Sequence, residues 1–270
     1  MTLFNFNPSD LLSFYLTLFR VSIVMFLLPV FGSSSIPNMV KAALTLVITL
    51  AVWPQLSFDG SLMPASPYQI ALMILGELIL GLVFNIVITV VFAAIQTGGN
   101  FIGVQMGFSM VNVLDPVTGT NEAVTAHFLY MCALLIFLSL NGHLYMISGI
   151  AKTFEYIPPG ELLISPTLYT QVMNITETLF VLAIQVAAPI IASIFVIDLA
   201  LALIGKMAPQ MNVLMLGFPI KILVGLIFLG MVFTVLGMHV SGFVAGIPEY
   251  MLNVIKSGSP SIHSGTIPGS

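Results

Sequence analysis

Three ionisable side chains interrupt the long apolar runs of this 270-residue chain: Arg20, Glu77 and Asp198. A charge at the centre of a bilayer costs about 2.5–3.5 kcal/mol on insertion scales, so each group should face a partner or water rather than lipid. The functional interpretation is a path for ions or protons, and the alternative is structural pairing inside an assembly. Three scattered charges do not form the relay of a proton pump, which favours structural pairing.

The sequence has none of the residue spacings that enzymes use for metal, nucleophile or phosphate chemistry. The patterns HExxH, GxSxG, GxGxxG and GxxxxGK[ST] are absent, and the only cysteine, Cys132, lies inside an apolar run. His127, His143 and His239 are far apart in sequence, and we interpret them as packing or interfacial residues. The sequence therefore predicts a protein that is not an enzyme and has no cofactor and no metal.

The composition is typical of a membrane protein. Hydrophobic residues make up 59% of the chain, charged residues only 6%, and the mean hydropathy is +1.13. The formal net charge of -4 is carried by so few groups that no basic face is available for phosphates. Nucleic acid is therefore excluded as a partner.

Long apolar runs predict an all-α fold with about six hydrophobic helical segments. Most of them reach the roughly 20 residues that span a bilayer, and they are too long for the strands of an outer-membrane barrel. The runs cover residues 11–31, 40–56, 68–96, 125–150, 178–205 and 212–246. We expect one helical membrane domain over residues 1–256 and a disordered polar tail over 257–270, because the tail is small, polar and proline-bearing.

Glycine recurs every four residues just after the third run, at Gly99, Gly103 and Gly107. This spacing leaves one face of a helix without side chains and lets another backbone approach closely. We therefore expect Gly99 and Gly103 to form a helix packing seam.

An irregular apolar segment follows these glycines, in the stretch GFSMVNVLDPVTG at 107–119. Asp115, Pro116 and Gly119 oppose a continuing helix. The apolar side chains that they leave on irregular backbone are Phe108, Met110, Val111, Val113 and Leu114. Non-helical backbone at membrane depth is tolerated only inside protein or along a cavity, so this loop is a candidate constriction or gate, with dense packing as the alternative.

Three motifs follow one another along the chain: GELILGLVFNIV at 76–87, GGNFIGVQMGFSMVNVLDPVTG at 98–119 and APQMNVLMLGFPIKILVGL at 208–226. Together they resemble the FliR family, the single-copy subunit of the bacterial flagellar type III export gate. Their order and spacing extend the resemblance over nearly the whole chain. An injectisome relative would share parts of the pattern, and the flagellar interpretation is preferred.

The resemblance implies a subunit of a helical hetero-oligomeric gate in the bacterial inner membrane, within the flagellar basal body. The partners that it implies are FliP-type and FliQ-type sister subunits, an FlhB-type switch subunit and unfolded export substrates. The chain would line and close their conduit, and the loop from Gly107 to Gly119 would be the plug. Much of such an assembly lies above the membrane plane, so some apolar runs would contact sister subunits rather than lipid.

The resemblance also implies a role for the stretch KMAPQMNVLMLGFPIK at 206–221. It corresponds to a hairpin tip at the cytoplasmic mouth of the conduit, with an ordinary polar turn as the alternative. Pro209 and Pro219 would bracket the turn, while Gln210 and Asn212 would supply hydrogen bonds. The other residues assigned to the hairpin are Lys206, Gly217, Phe218 and Lys221.

Two other classes of function compete with the gate. A small secondary transporter or proton-conducting channel would have a cluster of ionisable residues at the membrane midplane, which the sequence lacks. An intramembrane enzyme ranks third, because no set of nucleophile, base and ligand is present.

Overall fold

A computed structural model of the chain describes residues 8–29, 31–32, 36–55, 66–108, 123–210 and 212–260. All its regular elements in these residues are helices, which confirms the all-α prediction. The helices are α1 (Pro8–Leu27), α2 (Asn38–Val52), a short 3-10 helix (Trp53–Gln55), α3 (Pro67–Met106), α4 (Val124–Ser139), α5 (Gly142–Tyr156), α6 (Pro166–Met207) and α7 (Val213–Gly258).

One predicted run, residues 125–150, is split into two helices. Leu140 and Asn141 form the break between α4 and α5, and Asn141 adopts a left-handed backbone with φ 58°. Asparagine tolerates this conformation better than most side chains, because its short polar group hydrogen-bonds locally. The described residues therefore contain seven α-helices rather than about six.

Three of these helices are long and apolar enough to cross a membrane. They cover Tyr68–Met106, Pro166–Met207 and Met215–Gly258, and α4 with α5 would add a fourth if the two formed one span. Within the described residues, the apolar parts of α1 and α2 are Ser13–Phe26 and Asn38–Val52. Both are shorter than the roughly 20 residues that a span requires.

The chain divides into two compact units. Unit 1 combines residues 1–89, 142–176 and 246–270, and unit 2 combines 90–141 and 177–245. The prediction of one domain over 1–256 is not tested by this division, because α3, α6 and α7 each contribute residues to both units.

Unit 1 is held together by close helix contacts. A Cβ placed on Gly81 of α3 would collide with the Ile23 side chain of α1, and one on Gly149 of α5 would collide with Met251 of α7. Each glycine therefore lets a bulky neighbour approach the helix backbone, which increases the area of contact.

The end of α7 is fixed inside unit 1 by hydroxyl hydrogen bonds. Ser259 is fully buried and donates to the backbone oxygen of Tyr156 at 2.8 Å, while Ser165 donates to the backbone oxygen of Ser257 at 2.7 Å. We call these two contacts the carboxyl-terminal clamp. The helix and its clamp extend past residue 257, where the sequence predicted the tail to begin, and residues 261–270 lie outside the described part.

The clamp predicts that two truncations differing by four residues will behave differently. Removing residues 261–270 leaves both hydrogen bonds intact, so the amount of protein in the native host should stay at the wild-type level. Removing 257–270 deletes both, at a cost of about 1 kcal/mol for each lost bond, and should lower the protein level several-fold. Immunoblots of an amino-terminally tagged chain measure this, and equal levels of the two truncations would contradict the clamp.

Candidate functional site

Unit 1 contains an ion pair buried between α1 and α3. Arg20 and Glu77 are 1% and 2% exposed, and their side chains meet in two parallel contacts of 2.5 and 2.6 Å. Gly160, in the turn after α5, donates its backbone N–H to Oε1 of Glu77 at 3.3 Å. This bidentate geometry is the strong form of an arginine–carboxylate pair.

The rest of the Arg20 guanidinium is satisfied by residues at the end of α5. Its Nη1 donates to Thr153 Oγ1 at 3.1 Å and to the backbone oxygen of Ile157 at 3.0 Å. The ring of Phe154 lies 4.2 Å from its Cζ, within the range of a cation–π contact. Because every side of the group is occupied by protein, the geometry favours structural pairing over a path for ions.

Asp198 lies in a different environment from the other two predicted buried charges. Its side chain is 39% exposed and pairs with Lys221 at 2.5 Å, so the prediction of burial is wrong for Asp198 in the single chain. The pair joins α6 to α7 within unit 2. A partner on the neighbouring helix supplies the countercharge that the sequence required, and the pair is partly exposed on the surface of the single chain.

The predicted seam at Gly99 and Gly103 holds the start of α4 against α3. A Cβ on Gly99 would lie 2.5 Å from the Cα of Ala126, and one on Gly103 would lie 2.6 Å from the Cβ of Ala123. Thr125 donates its hydroxyl to the backbone oxygen of Gly99 at 2.7 Å. The glycine face of α3 therefore lets its backbone contact the backbone at the start of α4 directly.

The third glycine of the repeat has a different role, because Gly107 ends α3. Its φ is +88°, a left-handed conformation that glycine adopts without strain. The Phe108 N–H donates to the oxygen of Gly103 at 2.9 Å, and the Gly107 N–H donates to that of Val104 at 3.1 Å. This pair of bonds is the Schellman motif, which satisfies carbonyl groups left over at a helix end.

The remaining residues of the predicted plug loop lie outside the described residues. They are Met110, Val111, Val113, Leu114, Asp115, Pro116 and Gly119. Only Gly107 and Phe108 are placed, at the point where the chain leaves α3.

The predicted hairpin joins α6 and α7 through a short turn. The side chains of Pro209, Gln210 and Asn212 are exposed at this turn. Asn212 caps α7, because its Oδ1 lies 3.3 Å from the backbone nitrogen of Met215 and accepts its hydrogen bond. Pro219 lies inside α7 rather than at the turn, so the prediction that two prolines bracket the turn is wrong at this position.

Small residues let the two helices of the hairpin approach each other. A Cβ on Gly205 would lie 3.1 Å from Val213, and one on Gly217 would lie 3.1 Å from Leu201. Lys206, at the end of α6, is exposed. The hairpin therefore combines an apolar interior with a polar tip, as an ordinary helical turn or a docking surface would.

The described residues contain no group of three or more His, Cys, Asp or Glu side chains that could hold a metal ion. The candidate site in this part of the chain consists of helix contacts, a helix end and a hairpin rather than reactive groups.

The family model described as bacterial export proteins, family 1, matches residues 11–247. The chain belongs to this family.

Curated relatives in the family are flagellar proteins. The chain is 32% identical over 222 residues to the flagellar biosynthetic protein FliR of Bacillus subtilis, which covers 80% of this chain and 84% of the relative. It is 30% identical over 213 residues to FliR of Escherichia coli, covering 79% and 81% respectively. It is 32% identical over 230 residues to FliR of Pectobacterium carotovorum, covering 84% and 87%. These matches confirm the resemblance to the FliR family.

Sequence reasoning missed the residues that complete the Arg20 cluster. Thr153 and Phe154 belong to α5, and Gly160 lies in the turn that follows it. The available signal was the stretch TFEYIPPG at 153–160, where a hydroxyl and a turn glycine occur near a predicted helix end. Nothing in the sequence connected this stretch to Arg20, which is 133 residues away from Thr153.

The buried ion pair predicts an asymmetry between single and double substitutions. Arg20→Leu should cost about 3–5 kcal/mol, because it leaves the Glu77 carboxylate buried and unpaired, whereas Arg20→Leu with Glu77→Leu should recover much of this loss. Asp198→Asn is the control and should cost less than about 1 kcal/mol, since its pair is exposed. Thermal unfolding of the purified chains ranks the stabilities of these variants. A double variant less stable than Arg20→Leu would contradict the expected asymmetry.

The seam predicts opposite effects for two glycine-to-alanine substitutions within helices. Gly99→Ala forces a methyl group against the backbone of α4 and should destabilise the protein by about 1–3 kcal/mol. Gly237→Ala meets no atom within 4 Å and should gain up to about 1 kcal/mol from helix propensity. Protein levels and unfolding temperatures test the pair. A tolerated Gly99→Ala would show that α4 does not pack on this face.

Proposed function

We propose that the chain is a non-enzymatic subunit of the flagellar type III protein export gate, which lines and closes the conduit for unfolded flagellar substrates across the inner membrane. The observation that carries the proposal is the match to FliR proteins at 30–32% identity over 79–84% of the chain. The names of these relatives assign them to flagellar biosynthesis, and the family model assigns its members to export.

Uncovered apolar surface supports membership of a larger assembly. The most apolar 18-residue stretch of α3 is 61% buried within the chain, whereas the corresponding stretches of α6 and α7 are 28% and 17% buried. Such surface avoids water and must contact lipid or other proteins. We assign part of it to FliP-type and FliQ-type sister subunits, and the hairpin tip at Pro209 and Gln210 to an FlhB-type switch subunit at the cytoplasmic mouth.

The distribution of charge argues against the competing transporter or proton channel. Among the described residues, the buried charged side chains are Arg20, Lys41 and Glu77. Arg20 and Glu77 satisfy each other, and Lys41 donates to the backbone oxygen of Gly32 at 3.2 Å. A proton path requires a series of groups that exchange partners, and a closed pair with neighbouring hydrogen bonds does not provide one.

Closure of the conduit is assigned to the loop that begins at Gly107. Four or five apolar side chains between residues 108 and 114 would exclude water, at about 1.5–3 kcal/mol for each fully buried side chain. This keeps the conduit shut at rest and still allows an arriving substrate chain to displace the plug. Asp115 and Pro116 would fix its direction, because proline restricts both its own backbone and that of the preceding residue.

Deleting residues 110–114 tests the function. The deletion should leave assembly intact and make the inner membrane leak ions and small solutes, because the water-excluding side chains are gone. Co-purification of the sister subunits with the tagged chain measures assembly, and membrane conductance in the same cells measures the leak. Deleting residues 261–265 of the tail is the matched control and should cause no leak.

Two results would overturn this proposal. If the complex with the 110–114 deletion assembles fully and the membrane conducts no more than with the wild type, the plug hypothesis is wrong. If the purified chain brings no sister subunits with it, the gate hypothesis is wrong.

A further inference from the structure

Two predicted functional segments of unit 2 contact each other at the end of α3. Phe218, in the second turn of α7, places its ring against the Cα of Gly107. A Cβ added to Gly107 would lie 2.7 and 2.9 Å from ring atoms Cδ1 and Cε1, well inside the usual carbon–carbon contact of about 3.5–4.0 Å. The sequence assigned Gly107 to the plug loop and Phe218 to the hairpin, and the two are neighbours.

A second contact joins the same two helices. Met106, the last residue of α3, is fully buried, and its Cε would lie 2.5 Å from a Cβ on Gly225 of α7. Phe218 and Gly225 are seven residues apart, which places them two turns apart on one face of the helix. Met106 and Gly107, which are consecutive at the end of α3, therefore contact α7 at two positions that lie two turns apart.

The contact at Gly107 is less adjustable than the one at Gly225. A methionine is flexible and can move its terminal methyl group away from a new neighbour. An aromatic ring is rigid and cannot bend away from Gly107 as a methionine side chain can. The Phe218 ring is therefore the firmer of the two contacts at the end of α3.

We propose that Phe218 is a positioning residue that couples the α6–α7 hairpin to the start of the loop at Gly107. Phe218 lies six residues beyond the capping residue Asn212, about 9 Å along the helix axis. A displacement of α7 at the hairpin tip would move the ring and, with it, the end of α3. The partner that contacts the hairpin would thereby act on closure, a consequence that rests on the proposed function, whereas the coupling itself does not.

The experiment replaces Phe218 and reads the position of the neighbouring residue directly. Phe108→Cys is introduced with Cys132→Ala, so that the reporter is the chain's single thiol, and the complex is purified from the native host. Phe218→Ala should raise the rate of maleimide reaction at residue 108 about tenfold, the change that follows from losing about 1.4 kcal/mol of contact energy. Phe218→Leu, which keeps an apolar side chain of similar reach, should raise it less.

Phe233→Ala is the matched control. Phe233 is also a phenylalanine of α7 within unit 2, and its ring packs edge-to-face on Phe128 of α4 at 5.8 Å. Its removal deletes an aromatic contact of the same kind away from Gly107, so the reaction at residue 108 should not change. An equal rise in both variants would mean general loosening of unit 2 and would overturn the proposal.

A double substitution separates the ring contact from the backbone requirement. Gly107→Ala suffers both from its left-handed φ and from the clash with Phe218, and only the clash disappears when the ring is removed. The effect of Gly107→Ala on the reaction rate should therefore be smaller in the Phe218→Ala background. Equal effects in the two backgrounds would show that the ring does not constrain Gly107.

Membrane conductance links this coupling to closure. If deleting residues 110–114 causes a leak, an assembled Phe218→Ala complex should leak as well. An assembled Phe218→Ala complex with wild-type conductance would overturn the role of Phe218 in closure but would leave the plug hypothesis intact. If the deletion causes no leak, the plug is excluded and the coupling is judged by the thiol reaction alone. An unchanged rate at residue 108 in Phe218→Ala overturns it in either case.

Discussion

The removal of one ion pair from water constrains the packing of unit 1. Arg20 of α1 and Glu77 of α3 can be buried only if their remaining polar atoms are matched, and the matching groups come from the end of α5 and the turn that follows it. Apolar helices by themselves can slide or rotate against each other with little change in free energy, because one methyl group replaces another. A bidentate contact with three further hydrogen bonds permits a single register. The pair therefore selects one arrangement among many that the hydrophobic effect would accept.

Unit 2 obtains its specificity from shape instead of charge. Its glycines at 99, 103 and 107 bring α3 within contact distance of the start of α4 and of the Phe218 ring, and in each case the neighbouring group occupies the space of a missing side chain. Such contacts gain dispersion energy over a large area but have no tolerance for added atoms. The Asp198–Lys221 pair is a single contact between α6 and α7 and is partly exposed in the single chain. The glycine face of α3 thus does most to determine how the described helices of unit 2 pack against each other.

The sequence predicted the elements of the fold better than their contacts. Run length and uniform hydrophobicity were sufficient for the helices, because a backbone surrounded by apolar side chains must satisfy its own hydrogen bonds. The same reasoning indicated that Arg20 and Glu77 need partners, but it could not pair them, since 57 residues separate them and no periodicity connects them. It assigned Gly107 to the plug loop and did not foresee that this glycine ends α3, because a helix end and a packing face place the same demand for a small residue. Pro219 was assigned to the turn by the resemblance, but it is the seventh residue of α7, beyond the first turn in which proline costs no hydrogen bond. The loop residues from 109 onwards stay a prediction.

The carboxyl-terminal clamp has a consequence for the order in which the protein is made. Unit 1 is assembled from segments at the beginning, the middle and the end of the sequence, and the hydrogen bonds of Ser257 and Ser259 close it. Because a chain folds as it emerges from the ribosome, α1 and α2, which end by residue 52, must wait until residues 53 to 259 have been synthesised before their last partner arrives. During this interval the apolar surface that α7 will cover is open. The nascent chain therefore exposes this apolar surface for most of its synthesis, and quality control can act on it before the last helix is complete.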